Sequence, residues 1–159
     1  MSVVIRPATL SDLDTLTSLN AVVQSLHARL EPKHFLANAE PDKVRSFFAT
    51  LLKSAANHIL IAEIDAVPVA YVWFETQKQS STPFTHARNR LYIHHIAVSE
   101  NSRRRGVASE LMRVVETEAF STGVKRVVVD AWAANEVAQR FFESQGFFPF
   151  NIVLGKDLP

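Results

Sequence analysis

The stretch LYIHHIAVSENSRRRGVASELMRVVE, Leu91 to Glu116, limits the possible folds of this chain more than any other. Leu91 to Val98 is β-branched and aromatic, as a strand requires, and apolar at its C-terminal end. Ser99-Glu100-Asn101-Ser102 is turn chemistry. Arg103-Arg104-Arg105-Gly106-Val107-Ala108 then runs directly into a helical pattern of Val107, Leu111, Val114 and Val115. The unit is a strand, a basic turn with a glycine in it, and a helix start. A helix N-terminus presents unpartnered backbone N–H groups and the positive end of the macrodipole, so it favours an anion. Gly106 and Ala108 keep bulk away from that point, and three arginines add charge and forked donors. An arginine run alone is more often a solvated basic turn before an ordinary helix.

The remainder predicts a mixed α/β chain. Ser2 to Arg6 is a short strand ended by Pro7. Ser11 and Asp12 offer a cap for a helix carrying Leu13, Leu16, Leu19, Val22, Val23, Leu26 and Leu30 at helical spacing. Pro41 and Asp42 open a second helix with Val44, Phe47, Phe48, Leu51 and Leu52 on one face. His58 to Ile64 and Val67 to Glu75 read as an antiparallel pair turning at Asp65-Ala66, and Gln77 to Asn89 as a polar loop. Beyond the central stretch come a C-cap at Gly123, a buried strand from Arg126 to Ala131, a helix from Asn135 to Gln145 and a last strand from Phe147 to Leu154. The expectation is a central mixed sheet of six to seven strands with helices on both faces.

Length and composition restrict the function classes. With 159 residues, the chain is expected to form one domain over 1–159. A net charge of +1 gives no global field for nucleic acid or a membrane. Without cysteine, there is no disulfide, thiol nucleophile or thiolate metal ligand, and no histidine pair sits at i, i+4, so no metal is expected. No signal-peptide pattern or membrane-length apolar run occurs, so a cytoplasmic location is expected.

Arg103-x-x-Gly106-x-Ala108, five residues past Val98, resembles the Q/R-x-x-G-x-G/A signature of the GNAT superfamily of acyl-CoA-dependent N-acetyltransferases. Asn135-x-x-Ala138-x-x-x-Phe142-x-x-x-Gly146-Phe147 resembles a second block of that family, N-x-x-A-x-x-x-Y-e-x-x-G-F. The resemblance implies a GNAT fold with a splayed central strand pair, and acetyl-CoA as co-substrate. Backbone groups of Ile96, Ala97 and Val98 would then bind the pantetheine arm, with the amide near Ile96 stabilising the oxyanion. Arg103, Arg104, Arg105, Gly106, Val107, Ala108 and Ser109 would hold the pyrophosphate, and Asn135 would reach the pantetheine. Phe142 stands where the family often has a tyrosine that protonates the departing thiolate. It cannot donate a proton but can still pack against the cofactor.

The acceptor amine must lose a proton. Strict alternation puts Tyr92, His94, Ile96 and Val98 on one face and Ile93, His95 and Ala97 on the other, so His94 and His95 are expected to point apart. His94 occupies a position where one branch of the family carries a catalytic histidine and another an acidic residue, and histidine titrates near neutral pH. It is the candidate base and Glu75 the alternative. Tyr92 and Tyr71 are candidate acids. His27, His34, Phe35, Asp130 and Trp132 are candidate acceptor-wall residues.

The activity expected is acetyl transfer from acetyl-CoA to a primary amine of a small molecule, peptide or protein, by direct attack in a ternary complex. A non-catalytic acyl-CoA-binding module is the alternative. No membrane or nucleic-acid partner is expected, and homodimerisation is compatible with the family.

Overall fold

The computed structural model describes residues 2–159. In chain order, the elements are β1 (Val3–Pro7), a 3-10 turn (Leu10–Asp12), α1 (Leu13–Leu30), α2 (Pro41–Leu51), β2 (Asn57–Ile64) and β3 (Val67–Gln79). They continue with β4 (Arg88–Val98), a second 3-10 turn (Glu100–Ser102), α3 (Val107–Ser121), β5 (Val127–Val129) and α4 (Glu136–Ser144). The strands form one sheet in sequence order, β1-β2-β3-β4-β5. Every pairing is antiparallel except β4 with β5.

Each start and stop has a local cause. Asp12 accepts from the Thr9 amide at 2.7 Å and from the Arg6 guanidinium at 2.8 and 2.9 Å, which fixes the entry to α1. Asp65 and Ala66 both have positive φ, 50° and 61°, the backbone that a two-residue hairpin needs to match strand twist.

The sheet is covered on both sides. Ala62, Val72, Phe74, Leu91 and Ile93 pack with Val107, Leu111, Met112 and Val115 of α3 and with Phe142 of α4. On the opposite face, Ile59, Ile61, Tyr71, Trp73 and Ala97 pack with Leu13, Leu16 and Leu19 of α1 and with Phe48 of α2. Burial on both faces explains why β3 is apolar through consecutive positions, Val69 to Phe74, where an open sheet would alternate.

Two irregularities organise everything that follows. Across β3 and β4, Trp73 pairs with His95 but Phe74 pairs with Ile93, so His94 is an extra residue and the strand carries a β-bulge. Between β4 and β5 only Leu91, Tyr92 and Ile93 find partners, in Val127, Val128 and Val129, while β4 runs on to Val98. Past Ile93, that edge of β4 has no neighbouring strand among the described residues.

Two expectations need correction. Phe147 to Leu154 is not a strand, so the sheet has five strands among the described residues and not six or seven. Gly146 (φ 85°) turns the chain out of α4 and Pro149 lacks a ladder donor. The polar loop is also shorter than Gln77 to Asn89. β3 extends to Gln79 and β4 begins at Arg88, because glutamine and arginine side chains pair across the two strands.

Candidate active site

The bulge decides where the two histidines go. His94 stacks on Trp73, with ring centroids 4.1 Å apart and planes at 14°, and His95 meets the same indole edge-on at 5.0 Å. They therefore share a face of the sheet, contrary to the strict alternation expected. An inserted residue resets the period of two, so Tyr92, His94, His95 and Ala97 lie toward α1 and α2, while Ile93, Ile96 and Val98 lie toward α3.

His94 and Glu75 form a dyad, Nε2 to Oε2 at 2.9 Å, each about one quarter to one third exposed. Nε2–H donates to the carboxylate, so in neutral His94 the lone pair is on Nδ1. Hydrogen bonds from the Gln77 amide (3.0 Å) and from His94 hold the Glu75 carboxyl below its ordinary range. The Tyr92 ring lies 4.8 Å from His94, and its hydroxyl donates to Asp130 Oδ2. Burial, followed by that carboxylate, pushes the phenol well above its ordinary value.

His95 has a different environment. Tyr71 is fully buried, and its hydroxyl lies 3.0 Å from His95 Nδ1 and 3.0 Å from Asn20 Nδ2. Only one assignment satisfies all three groups. Asn20 donates to the phenol oxygen, and the phenol donates to Nδ1, leaving the His95 proton on Nε2. Burial, reinforced by His27 and His94, lowers the His95 pKa to about 4. His95, Asn20, Val44, Phe47 and Phe48 line a cavity of about 320 Å³ between α1 and α2.

On the other side of β4, the wedge opens. The Leu91 amide bonds the Arg126 carbonyl beside β5 (2.9 Å), and the Ser99 amide bonds Val69 of β3 (2.8 Å). Counting back from Ser99, the amides of Ala97 and His95 also face β3, so those of Val98 and Ile96 face the gap past the end of β5. Ala97 itself packs toward α1. At the mouth of the gap stands the start of α3. Gly106 is in the left-handed region at φ 79° and Arg104 at φ 57°. The Gly106 carbonyl accepts the first helical bond, from Glu110, so the amides of Val107, Ala108 and Ser109 precede the hydrogen-bonding of the helix. Arg103 Nε reaches the Val98 carbonyl at 3.4 Å, and Arg103, Arg104 and Arg105 are exposed. The Val107 side chain is core, and Ser109 Oγ accepts from Gln145 at 3.3 Å.

Asn135 and Phe142 have structural duties here. Asn135 Oδ1 accepts from the Ala138 amide (3.2 Å) as the N-cap of α4. Phe142 is buried against Phe141 and Phe147. His27, His34, Phe35 and Trp132, far apart in sequence, form one ring cluster at 4.8 to 5.2 Å that joins the end of α1 to the segment after β5. Sequence reasoning found these residues but not their union, and it missed Asn20 and the stacking role of Trp73.

A family model described as "Acetyltransferase (GNAT) family" matches residues 22–147. The chain belongs to the GNAT acetyltransferase family. The acyl donor of that family is acetyl-CoA, as the resemblance of the two motifs implied. A curated relative, the "Uncharacterized N-acetyltransferase YycN" of Bacillus subtilis, is 22% identical over 90 residues, 57% of this chain and 54% of the relative. The chain thus spans about half the length of that relative. The fold is shared with a mutant of the BH1408 protein from Bacillus halodurans (TM-score 0.91, 20% identity, 98% and 99% of the two chains covered). It is shared also with the aminoglycoside N-acetyltransferase AAC(6')-Iy in complex with CoA-S-monomethyl-acetylneamine (TM-score 0.76, 18% identity, 100% and 99% covered). Among the described residues, no helix is long and apolar enough to cross a membrane.

Proposed function

We propose that this GNAT protein transfers the acetyl group of acetyl-CoA to a primary amine by direct attack in a ternary complex. The observation that carries the reading is the bulge. It sets the His94–Glu75 dyad at the point where β4 leaves β5 and its Ile96 and Val98 amides lose a strand partner. An extended pantetheine arm would take those amides as an added strand does, with its pyrophosphate at Arg103 to Ser109 and the start of α3.

The neutral amine nitrogen then attacks the thioester carbon. The Ile96 amide steadies the resulting oxyanion, an interaction worth roughly 3 kcal/mol in comparable sites. His94 Nδ1 takes the amine proton directly or through water, and Glu75 stabilises the imidazolium across the 2.9 Å contact. As the C–S bond breaks, CoA leaves as a thiolate. No tyrosine is free to protonate it, since Tyr71 is sealed against His95 and the Tyr92 proton is committed to Asp130. A thiol titrates at about 8.5, so thiolate departure near neutral pH needs little help. The neighbour whose CoA analogue carries acetylneamine supports an amine as nucleophile.

Acetyl-CoA at about one hundred times its dissociation constant should add roughly 2.7 kcal/mol of stability, raising Tm by about 5 to 10 °C, with ATP and NAD inert. Release of free thiol with an amine panel then tests transfer. No shift with acetyl-CoA overturns the reading, and a shift without transfer to any amine makes the chain a binding module.

A further inference from the structure

Resting on the amine-acetylation reading, we propose that the acceptor is zwitterionic: a primary amine that also carries an anionic group, a carboxylate or phosphate, several bonds from its nitrogen. Glu75, half of the dyad, is also a wall of a second cleft of about 450 Å³ that runs along the β3–β4 ladder and includes Gln77, Lys78, Gln79, Arg88 and Arg90. Glu75 pairs with Tyr92, Gln77 with Arg90 and Gln79 with Arg88, so these six side chains share one face, with the dyad at one end and the arginines at the other.

The cleft is electrically polarised. Its carboxylate, Glu75, lies at the inner end, and its three cations lie outside it. The Arg90 guanidinium sits 5.4 Å from the centre of the Tyr92 ring, which is 4.8 Å from His94. Both arginines are held by neutral groups. Arg90 Nε donates to Gln77 Oε1 at 2.8 Å, and Arg88 Nε donates to Gln79 Oε1 at 2.5 Å. Among the described residues neither forms a salt bridge, whereas Arg6, Arg45, Arg113 and Arg140 all do. A glutamine that fixes Nε leaves the two terminal nitrogens of the guanidinium as an oriented fork, the geometry that grips a carboxylate or phosphate. Glu75 draws an ammonium toward His94 while Arg88 and Arg90 draw an anion outward. The same cations repel a polycationic acceptor.

The experiment titrates acetyl-CoA-stabilised protein, loaded with CoA, calorimetrically with 6-aminohexanoate, 5-aminopentyl phosphate, 6-aminohexanamide and hexane-1,6-diamine, and measures acetylation of the same four. At least one anionic probe should bind and be acetylated with kcat/KM at least tenfold above the neutral amide, and the diamine should rank last. Whether the carboxylate or the phosphate is preferred identifies the anion. Raising NaCl from about 50 to 300 mM should erode the preference, because the cleft is open to solvent. Arg88→Gln/Arg90→Gln should bring the anion-to-amide ratio close to one. Equal or better use of the diamine, absence of binding by both anionic probes, or an unchanged ratio in the double variant overturns the proposal. Failure of acetyl-CoA to stabilise the protein would instead remove the underlying reading.

Discussion

His94 and His95 are adjacent on β4 but have different partners, and their substitutions should differ accordingly. His94→Gln keeps a polar group near Glu75 but cannot accept and hold a proton, so kcat should fall by about 10²- to 10⁴-fold while the acetyl-CoA-induced Tm rise persists. An unchanged kcat would remove His94 as the base. His95 should govern stability instead. Its pKa is lowered from 6.5 to about 4 in the folded protein, so as pH falls the unfolded chain binds that proton first. The His95 contribution is complete above pH 6.5 and is lost between about 6.5 and 4, a loss of about 3 kcal/mol when integrated. His27 is shifted the same way by burial and adds to this window, whereas the lowered carboxylates Asp12 and Glu75 act at more acidic pH. Urea midpoints at pH 4.5 and 7 should therefore separate widely for the wild type and less for His95→Gln, whose amide still accepts from Tyr71. The residue types were legible in sequence. Their orientations were not, because nothing in HHIAV announces an inserted residue.

Among the elements, the turn into α3 carries the sharpest test. Gly106 has φ 79°, and a Cβ built there meets nothing within 4 Å. A side chain would thus cost mainly left-handed strain, about 1–2 kcal/mol, while projecting into the space where the pyrophosphate is proposed to lie. Gly106→Trp should remain folded yet lose the acetyl-CoA-dependent Tm rise. Full retention of that rise would move the pyrophosphate elsewhere. Elements with strong local signals, such as α1 with its heptad-like leucines, α2 opened by Pro41 and the Asp65-Ala66 hairpin, stand where periodicity and turn chemistry put them. The apolar run Phe147 to Leu154 has strand composition but no partner in the sheet, and composition without a partner makes no ladder.

For the molecule as a whole, Phe147 still packs on Phe142, but the chain beyond it is peripheral. Ile152, Val153, Leu154 and Leu158 are each more than three quarters exposed, and the terminal ion pair Lys33–Asp157 is solvated. Removing residues 151–159 should shift Tm by less than about 2 °C, since such surface groups contribute little. A larger loss would mean the segment packs in solution. The two cores on opposite faces of the sheet hold the site between them. One seats α3 and its N-terminus beside the wedge, and the other fixes Trp73 and Tyr71, on which both histidines rest.

The sequence by itself determined the helices, the antiparallel strands and the strand–turn–helix unit at Leu91 to Glu116, because each rests on local periodicity, capping and turn residues. It also pointed to the family, through two short motifs. The tertiary structure decided the rest. The bulge, the three-residue pairing of β5, the His94–Glu75 dyad and the polarised cleft of Arg88 and Arg90 all depend on which strand lies beside which, and in what register. Register is a long-range choice fixed by packing, and the local sequence does not encode it.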